Sequence, residues 1–189
     1  MQQRFFNTFE GGAVISPNKE VKKYIDQLKN FGFVDELTVV TAGINGKMSE
    51  INAVMGLLQL KLIDAAIAER KKIDEKYRLA FHGRCDIQCM DLSIQERANY
   101  SYFPILVKDD FPLSRDQLYE VLKQENIFSR RYFYPLISDF PMYQDLPSAA
   151  PDNLVVAKRV ASQVLCLPIY PDLQADDQQR VIDLILGVK

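Results

Sequence analysis

Between Ser49 and His82 apolar residues return at helical spacing, at Ile51, Met55, Leu58, Leu62, Ala65 or Ala66, and from Ile73 to Tyr77. The pattern predicts one long helix capped by Ser49 and ending near Phe81 or His82. At 1.5 Å per residue it would be roughly 50 Å long, so a kink is expected, with Gly56 the candidate position. Its two halves differ. Ile51 to Leu62 is apolar almost all round, whereas Glu69 to Arg78 is charged with a narrow apolar stripe. Such a helix is expected to be buried at one end and emergent at the other.

Shorter periods flank it. Phe5 to Ile15 reads as two short strands around the turn residues Glu10-Gly11-Gly12. Ser16-Pro17-Asn18-Lys19-Glu20 is a helix start, with Pro17 suited to a first helical position. Val21, Tyr24, Ile25 and Leu28 continue that helix, and Gly32 is available to end it. Thr41 to Lys47 is a loop. Beyond Gly83, Tyr100 to Val107 predicts a strand. Ser114 with Gln117 forms a capping box for a helix with Leu118, Val121 and Leu122 inward. Ile127-Phe128 and Tyr132-Phe133-Tyr134 read as extended. A helix follows over 151–165, an extended segment over 167–171, and a last helix over 175–186 that opens on Asp176 and Asp177. Short extended segments among helices predict an α+β domain: a long kinked helix and a small, mainly antiparallel sheet flanked by helices.

Composition narrows the function. The 189 residues are 48% hydrophobic and 25% charged, a globular balance. A net charge of −2 leaves no basic surplus for nucleic acid, and no apolar run approaches the roughly 20 residues of a membrane span. The N-terminus has no signal-peptide apolar region, so a cytoplasmic location is expected. Cys85, Cys89, Cys166 and the lone His82 have no zinc-site spacing, and reduced cytosolic thiols are the expected state. Cys166 reads as a small buried hydrophobe. His82, at a helix C-terminus, reads as a partner of the helix dipole. Glu10 reads as part of a structural turn.

Three stretches together resemble the DegT/DnrJ/StrS family of pyridoxal-phosphate sugar aminotransferases. They are Phe6-Asn7-Thr8-Phe9-Glu10-Gly11-Gly12; Gly43-Ile44-Asn45-Gly46-Lys47-Met48-Ser49-Glu50, continuing to Leu60; and Arg131-Tyr132-Phe133-Tyr134-Pro135-Leu136 with Leu165 to Pro171 downstream. The resemblance implies a fold-type-I aminotransferase, a homodimer with active sites at the subunit interface. It would move an amino group from glutamate to a keto group on a nucleotide-linked sugar, as in polysaccharide or deoxysugar biosynthesis. It divides the chain into a remnant of the large cofactor domain (1–48), a connecting helix (49–82) and a C-terminal small domain (83–189).

The same resemblance places site residues. Asn45 and Lys47 are expected to reach across the dimer to the neighbouring subunit's cofactor phosphate, Lys47 as a point charge. Tyr132 and Tyr134 are expected near the sugar nucleotide, although Ile137 stands where many members carry histidine. The family's cofactor lysine falls three positions before Asn7, which here is Arg4. A guanidinium is always protonated and cannot form a Schiff base. The resemblance implies that most of the large domain is absent as well. A truncated gene product is favoured over a diverged, non-catalytic descendant. The chain by itself is expected to be inactive and to bind no cofactor. The competing expectation is a non-catalytic structural module that dimerises through the apolar half of the long helix.

Overall fold

The computed structural model describes residues 6–91 and 98–188. These form two compact units, one ending at Asp64 and the other beginning at Ala65.

In the first unit, α1 spans Lys19–Leu28. Its cap is Asn18, whose side chain accepts from the Glu20 and Val21 amides, so the helix begins two residues later than the Pro17 position predicts. Phe6 to Ile15 is not a pair of strands. Thr8 carbonyl accepts from the Gly11 amide in a tight turn, and the rest is open loop. No ladder partner borders this segment among the described residues, and a strand needs one. The long helix is two helices, α2 at Glu50–Leu60 and α3 at Ile63–Ala80. The interruption falls at Lys61-Leu62, where both amides bond three residues back in a tightened last turn. Gly56 is therefore not the kink. It is buried inside α2, where a β-carbon would lie 2.8 Å from the Thr8 methyl.

The burial of the two halves is the reverse of the expectation. Apolar α2 leaves Ile51, Leu57 and Leu58 exposed. The charged half buries its narrow stripe of Arg70, Ile73, Asp74 and Tyr77. The polar members of that stripe are compensated, as buried charge requires. The Arg70 guanidinium donates to the Tyr100, Ser101 and Ile169 carbonyls, and Asp74 pairs with Arg78.

The second unit is built on a four-stranded antiparallel sheet in the order β1-β2-β4-β3. Its strands are β1 (Ile87–Cys89), β2 (Phe103–Val107), β3 (Arg130–Arg131) and β4 (Val164–Leu167). The expected α+β class is what the chain adopts. Phe103, Ile105 and Val107 alternate inward along β2, while all four residues of central β4 are buried. That burial explains one boundary shift. Val164 and Leu165, which helical periodicity places at the end of a helix, pair with Leu106 and Ile105, so α5 stops at Val155–Gln163. Similarly β3 falls on Arg130-Arg131, between the two predicted extended segments, because those residues align with Cys166 and Leu165.

The helices α4 (Arg115–Gln124) and α6 (Ala175–Leu186) match their predicted signals, including both bonds of the Ser114–Gln117 capping box. Leu118 and Leu122 of α4, and Val181, Ile182 and Ile185 of α6, join Tyr77 and Phe103 in one core. The Tyr77 hydroxyl donates to the Pro168 carbonyl at 3.1 Å.

Two substitutions separate packing from hydrogen bonding in this core. Ile105→Ala, at a fully buried site, is expected to cost about 2–5 kcal/mol. Tyr77→Phe is expected to cost about 1 kcal/mol. Urea unfolding followed by circular dichroism measures both.

Candidate functional site

The Gly43–Lys47 loop is held by the end of α1. A helix leaves its last carbonyls unpaired. Here the Gln27 carbonyl accepts from the Gly32 amide at 2.8 Å, Leu28 from Ile44 at 2.8 Å, and Lys29 from Gly46 at 2.8 Å. The Phe31 amide returns a bond to the Ile44 carbonyl, and Asn30 bridges Asn45 antiparallel. The loop is thus the C-terminal cap of α1. Gly32 sits at φ +86, and a β-carbon on it would meet the Thr41 carbonyl oxygen at 1.8 Å. One on Gly43 would meet the Gly32 nitrogen at 2.4 Å. Two glycines therefore let two backbone segments press together.

This cap presents the sequence-predicted residues. Asn45 and Lys47 are both exposed. Lys47 Nζ lies 5.5 Å from the centre of the Phe31 ring, and among the described residues it makes no ion pair. Ser49, two residues on, caps α2 by accepting from the Asn52 amide. The Phe6–Gly12 segment belongs to the same unit and packs near the same place. A β-carbon on Gly11 would lie 2.9 Å from Met48 Cε. Arg4 lies outside the described residues.

The second unit separates the two tyrosines that the sequence places in one site. Tyr132 lines a cleft of about 350 Å³ with Asp74, Arg78, Ser101 and Tyr102, its ring edge-on to Tyr102 at 5.2 Å. Burial raises the Tyr132 hydroxyl pKa. Tyr134 lines a different cleft of about 670 Å³ with Arg130, Phe133, Ile137 and Ser138. Ile137 does occupy this second cleft. Arg130 lies 5.7 Å from the Phe133 ring and has no carboxylate partner among the described residues. Ser138 Oγ is buried and has no hydrogen-bond partner among the described residues.

Arg115 and Asp116, which the sequence did not single out, hold this wall. The Arg115 side chain is buried and donates to the Ala161 and Val164 carbonyls at 3.0 and 3.1 Å, capping the end of α5. Its guanidinium lies 4.6 Å from the Tyr134 ring centre. Arg131 donates to Asp116 at 2.6 Å and stacks on Tyr119, tying β3 to α4. Burial pushes the Asp116 carboxyl pKa up, but Arg131 and Arg115 outweigh it and the net shift is downward. A buried arginine at a helix start has no local sequence signal, because its partners are 46 and 49 residues away. Cys166 is buried in β4, and burial pushes its thiol up to about 12, which makes it inert at neutral pH. His82 is exposed, and no group of three metal-ligating side chains occurs among the described residues. No single described helix is long and apolar enough to cross a membrane.

The small antiparallel sheet with its helices is preceded by a glycine-clasped loop whose Lys47 makes no ion pair among the described residues. The chain belongs to the DegT/DnrJ/EryC1/StrS aminotransferase family, whose sequence profile it matches over residues 2–186. It is 54% identical over 187 residues to the Escherichia coli dTDP-4-amino-4,6-dideoxy-D-glucose transaminase, covering 99% of this chain and 50% of that protein. The Shigella dysenteriae enzyme of the same name is 45% identical, covering 98% of this chain and again 50% of the relative. The chain thus spans about half the length of these relatives. Among solved structures it resembles DesI, determined in the presence of its TDP-sugar product, with a TM-score of 0.83 and 31% identity over 97% of this chain and 47% of DesI. It shares its fold with Helicobacter pylori PseC, at a TM-score of 0.84 over 96% of this chain and 49% of PseC.

Two outcomes test this geometry. Gly43→Ala is expected to expose the Ile44 and Gly46 amides to hydrogen exchange while leaving the second unit's amides protected. Asp116 has a lowered pKa in the folded state, so its contribution to stability is in place above its ordinary value of 3.8 and is lost as the pH falls below it. Asp116→Asn is expected to flatten that acid-side fall in melting temperature, measured between about pH 3 and 6.

Proposed function

We propose that this chain is the C-terminal half of a nucleotide-sugar aminotransferase that cannot carry out the transfer by itself. In this reading residues 1–48 are the end of the cofactor domain, 49–82 the connecting helical segment and 83–189 the small domain. The observation that carries it is the glycine-clasped loop, which offers the Lys47 ammonium and the Asn45 amide to solvent with no carboxylate paired to Lys47 among the described residues. The relatives named dTDP-4-amino-4,6-dideoxy-D-glucose transaminase support a dTDP-linked 4-amino-4,6-dideoxy sugar as the aminated compound.

The residues fit only one end of pyridoxal phosphate. Lys47 and Asn45 suit the phosphate, as an exposed cation and a neutral donor. Position 4, the place of the attaching lysine, is arginine, which keeps its proton at every accessible pH. When bound in a whole enzyme, the cofactor supplies the electron sink for moving the amino group. The work left to this chain is binding. The Tyr134 cleft joins the Arg130 cation, an exposed Phe133 ring and a Ser138 hydroxyl, neither polar group having a hydrogen-bond or carboxylate partner among the described residues. Together these suit a ligand with an anionic diphosphate, an aromatic base and sugar hydroxyls. Ile137 makes one wall of that cleft apolar.

A second reading, a non-catalytic dimerisation module, rests on one observation. Helix α2 exposes Ile51, Val54, Leu57, Leu58 and Leu60 around much of its circumference. Exposed apolar surface of this kind marks association.

The purified chain is expected to give no new visible absorbance with pyridoxal phosphate and no rise in melting temperature. A cofactor-dependent band from the unaltered chain would sink the inactive-half reading. Sedimentation at micromolar concentration is expected to show dimers or larger species. A clean monomer would remove the second reading.

A further inference from the structure

The segment after position 4 is tied to α2 by contacts that the family reading does not use. The Asn7 amide donates to Gln59 Oε1 at 2.9 Å, across 52 residues of sequence. Asn7 Oδ1 in turn accepts from the Phe9 amide at 3.3 Å, which stabilises the following bend where Phe9 adopts φ +58. Thr8, buried, fills the space that the missing side chain of Gly56 leaves on α2. A β-carbon there would approach Thr8 Cγ2 to 2.8 Å and Phe6 Cζ to 3.8 Å. On its other side Thr8 meets Gly11, where a β-carbon would lie 2.3 Å from Thr8 Oγ1 and 2.9 Å from Met48 Cε. Met48 directly follows Lys47. One residue, Thr8, is therefore pinched between two glycines, and the pinch joins the Phe6–Gly12 segment to the start of α2.

We infer that Gln59 is a positioning residue, which with Gly56 and Gly11 fixes the Phe6–Gly12 segment, shortly after the amine position in sequence, relative to the loop bearing Lys47. The inference rests on the proposed aminotransferase reading. Gln59 touches neither ligand. It acts through the Asn7 amide, by holding one backbone donor three residues past position 4. A glutamine suits this role because its amide oxygen accepts without placing a charge beside a half-buried backbone group.

The first test uses the chain as it is. Gln59→Leu keeps the side-chain size but removes the acceptor, and Gln59→Glu restores an accepting oxygen. Hydrogen exchange at the Asn7 amide is expected to quicken about tenfold in Gln59→Leu, with α1 amides unchanged, and to return toward the original rate in Gln59→Glu. An Asn7 rate indifferent to both substitutions overturns the inference.

The second test joins residues 4–189, with Arg4→Lys, to the preceding half of the Escherichia coli relative. The visible absorbance of bound pyridoxal phosphate is titrated with pH, with and without Gln59→Leu. A shifted midpoint at unchanged melting temperature supports positioning. An unshifted midpoint overturns it while leaving the aminotransferase reading intact. A folded chimaera with no cofactor absorbance overturns the aminotransferase reading, and the inference with it.

Discussion

Carbonyl groups left unpaired at helix ends govern both candidate functional segments. At the end of α1, three carbonyls are satisfied by amides of Gly32, Ile44 and Gly46. The loop carrying Asn45 and Lys47 cannot relax away without exposing those groups. At the end of α5, the Ala161 and Val164 carbonyls are satisfied by Arg115, whose guanidinium also backs the Tyr134 ring. In each unit a structural requirement of the backbone sets where a candidate ligand-binding side chain stands. Neither loop is shaped mainly by its own polar side chains.

Glycine serves this arrangement by giving room. At Gly43, Gly11 and Gly56 the limiting contact is a neighbouring atom within 3 Å of any β-carbon, not a left-handed backbone. Gly32 meets both demands. Two of the three stretches that carry the family resemblance therefore have a packing reason for a glycine, at Gly11 and at Gly43. The close approach brings Thr8, Met48 and α2 together within one unit. An alanine at any of these places would force backbone or β-branched side-chain atoms apart.

The two units manage apolar surface differently. The second closes a core in which a buried Tyr77, the alternating face of β2 and all of β4 meet α4 and α6. Its buried charges, Arg70, Asp74 and Arg115, each have carbonyl or carboxylate partners. The first unit buries Thr8, Gly32 and Gly56, but leaves most of α2's large apolar side chains in solvent. A helix that is apolar on nearly every side has no preferred inward face, so its burial depends on what covers it.

Much of this was legible in the chain itself. Local signals placed the Ser114–Gln117 box, the start of α6 and the Ser49 cap, because a cap is satisfied by atoms within three residues. Motif order identified the family and the loop of Asn45 and Lys47. What failed locally failed for non-local reasons. Val164 and Leu165 left the helix for a strand once Leu106 and Ile105 offered pairing. Gly56 proved to be a seat for Thr8, 48 positions away in number, instead of a hinge. Tyr132 and Tyr134, two residues apart, were read as one site but open into separate clefts, because the turn after β3 points them to different walls. The sequence alone determined the caps, the helical periods and the chemistry on offer. Only the tertiary structure decided which carbonyls those residues would satisfy and which side chains would share a cleft, since both depend on partners dozens of residues distant.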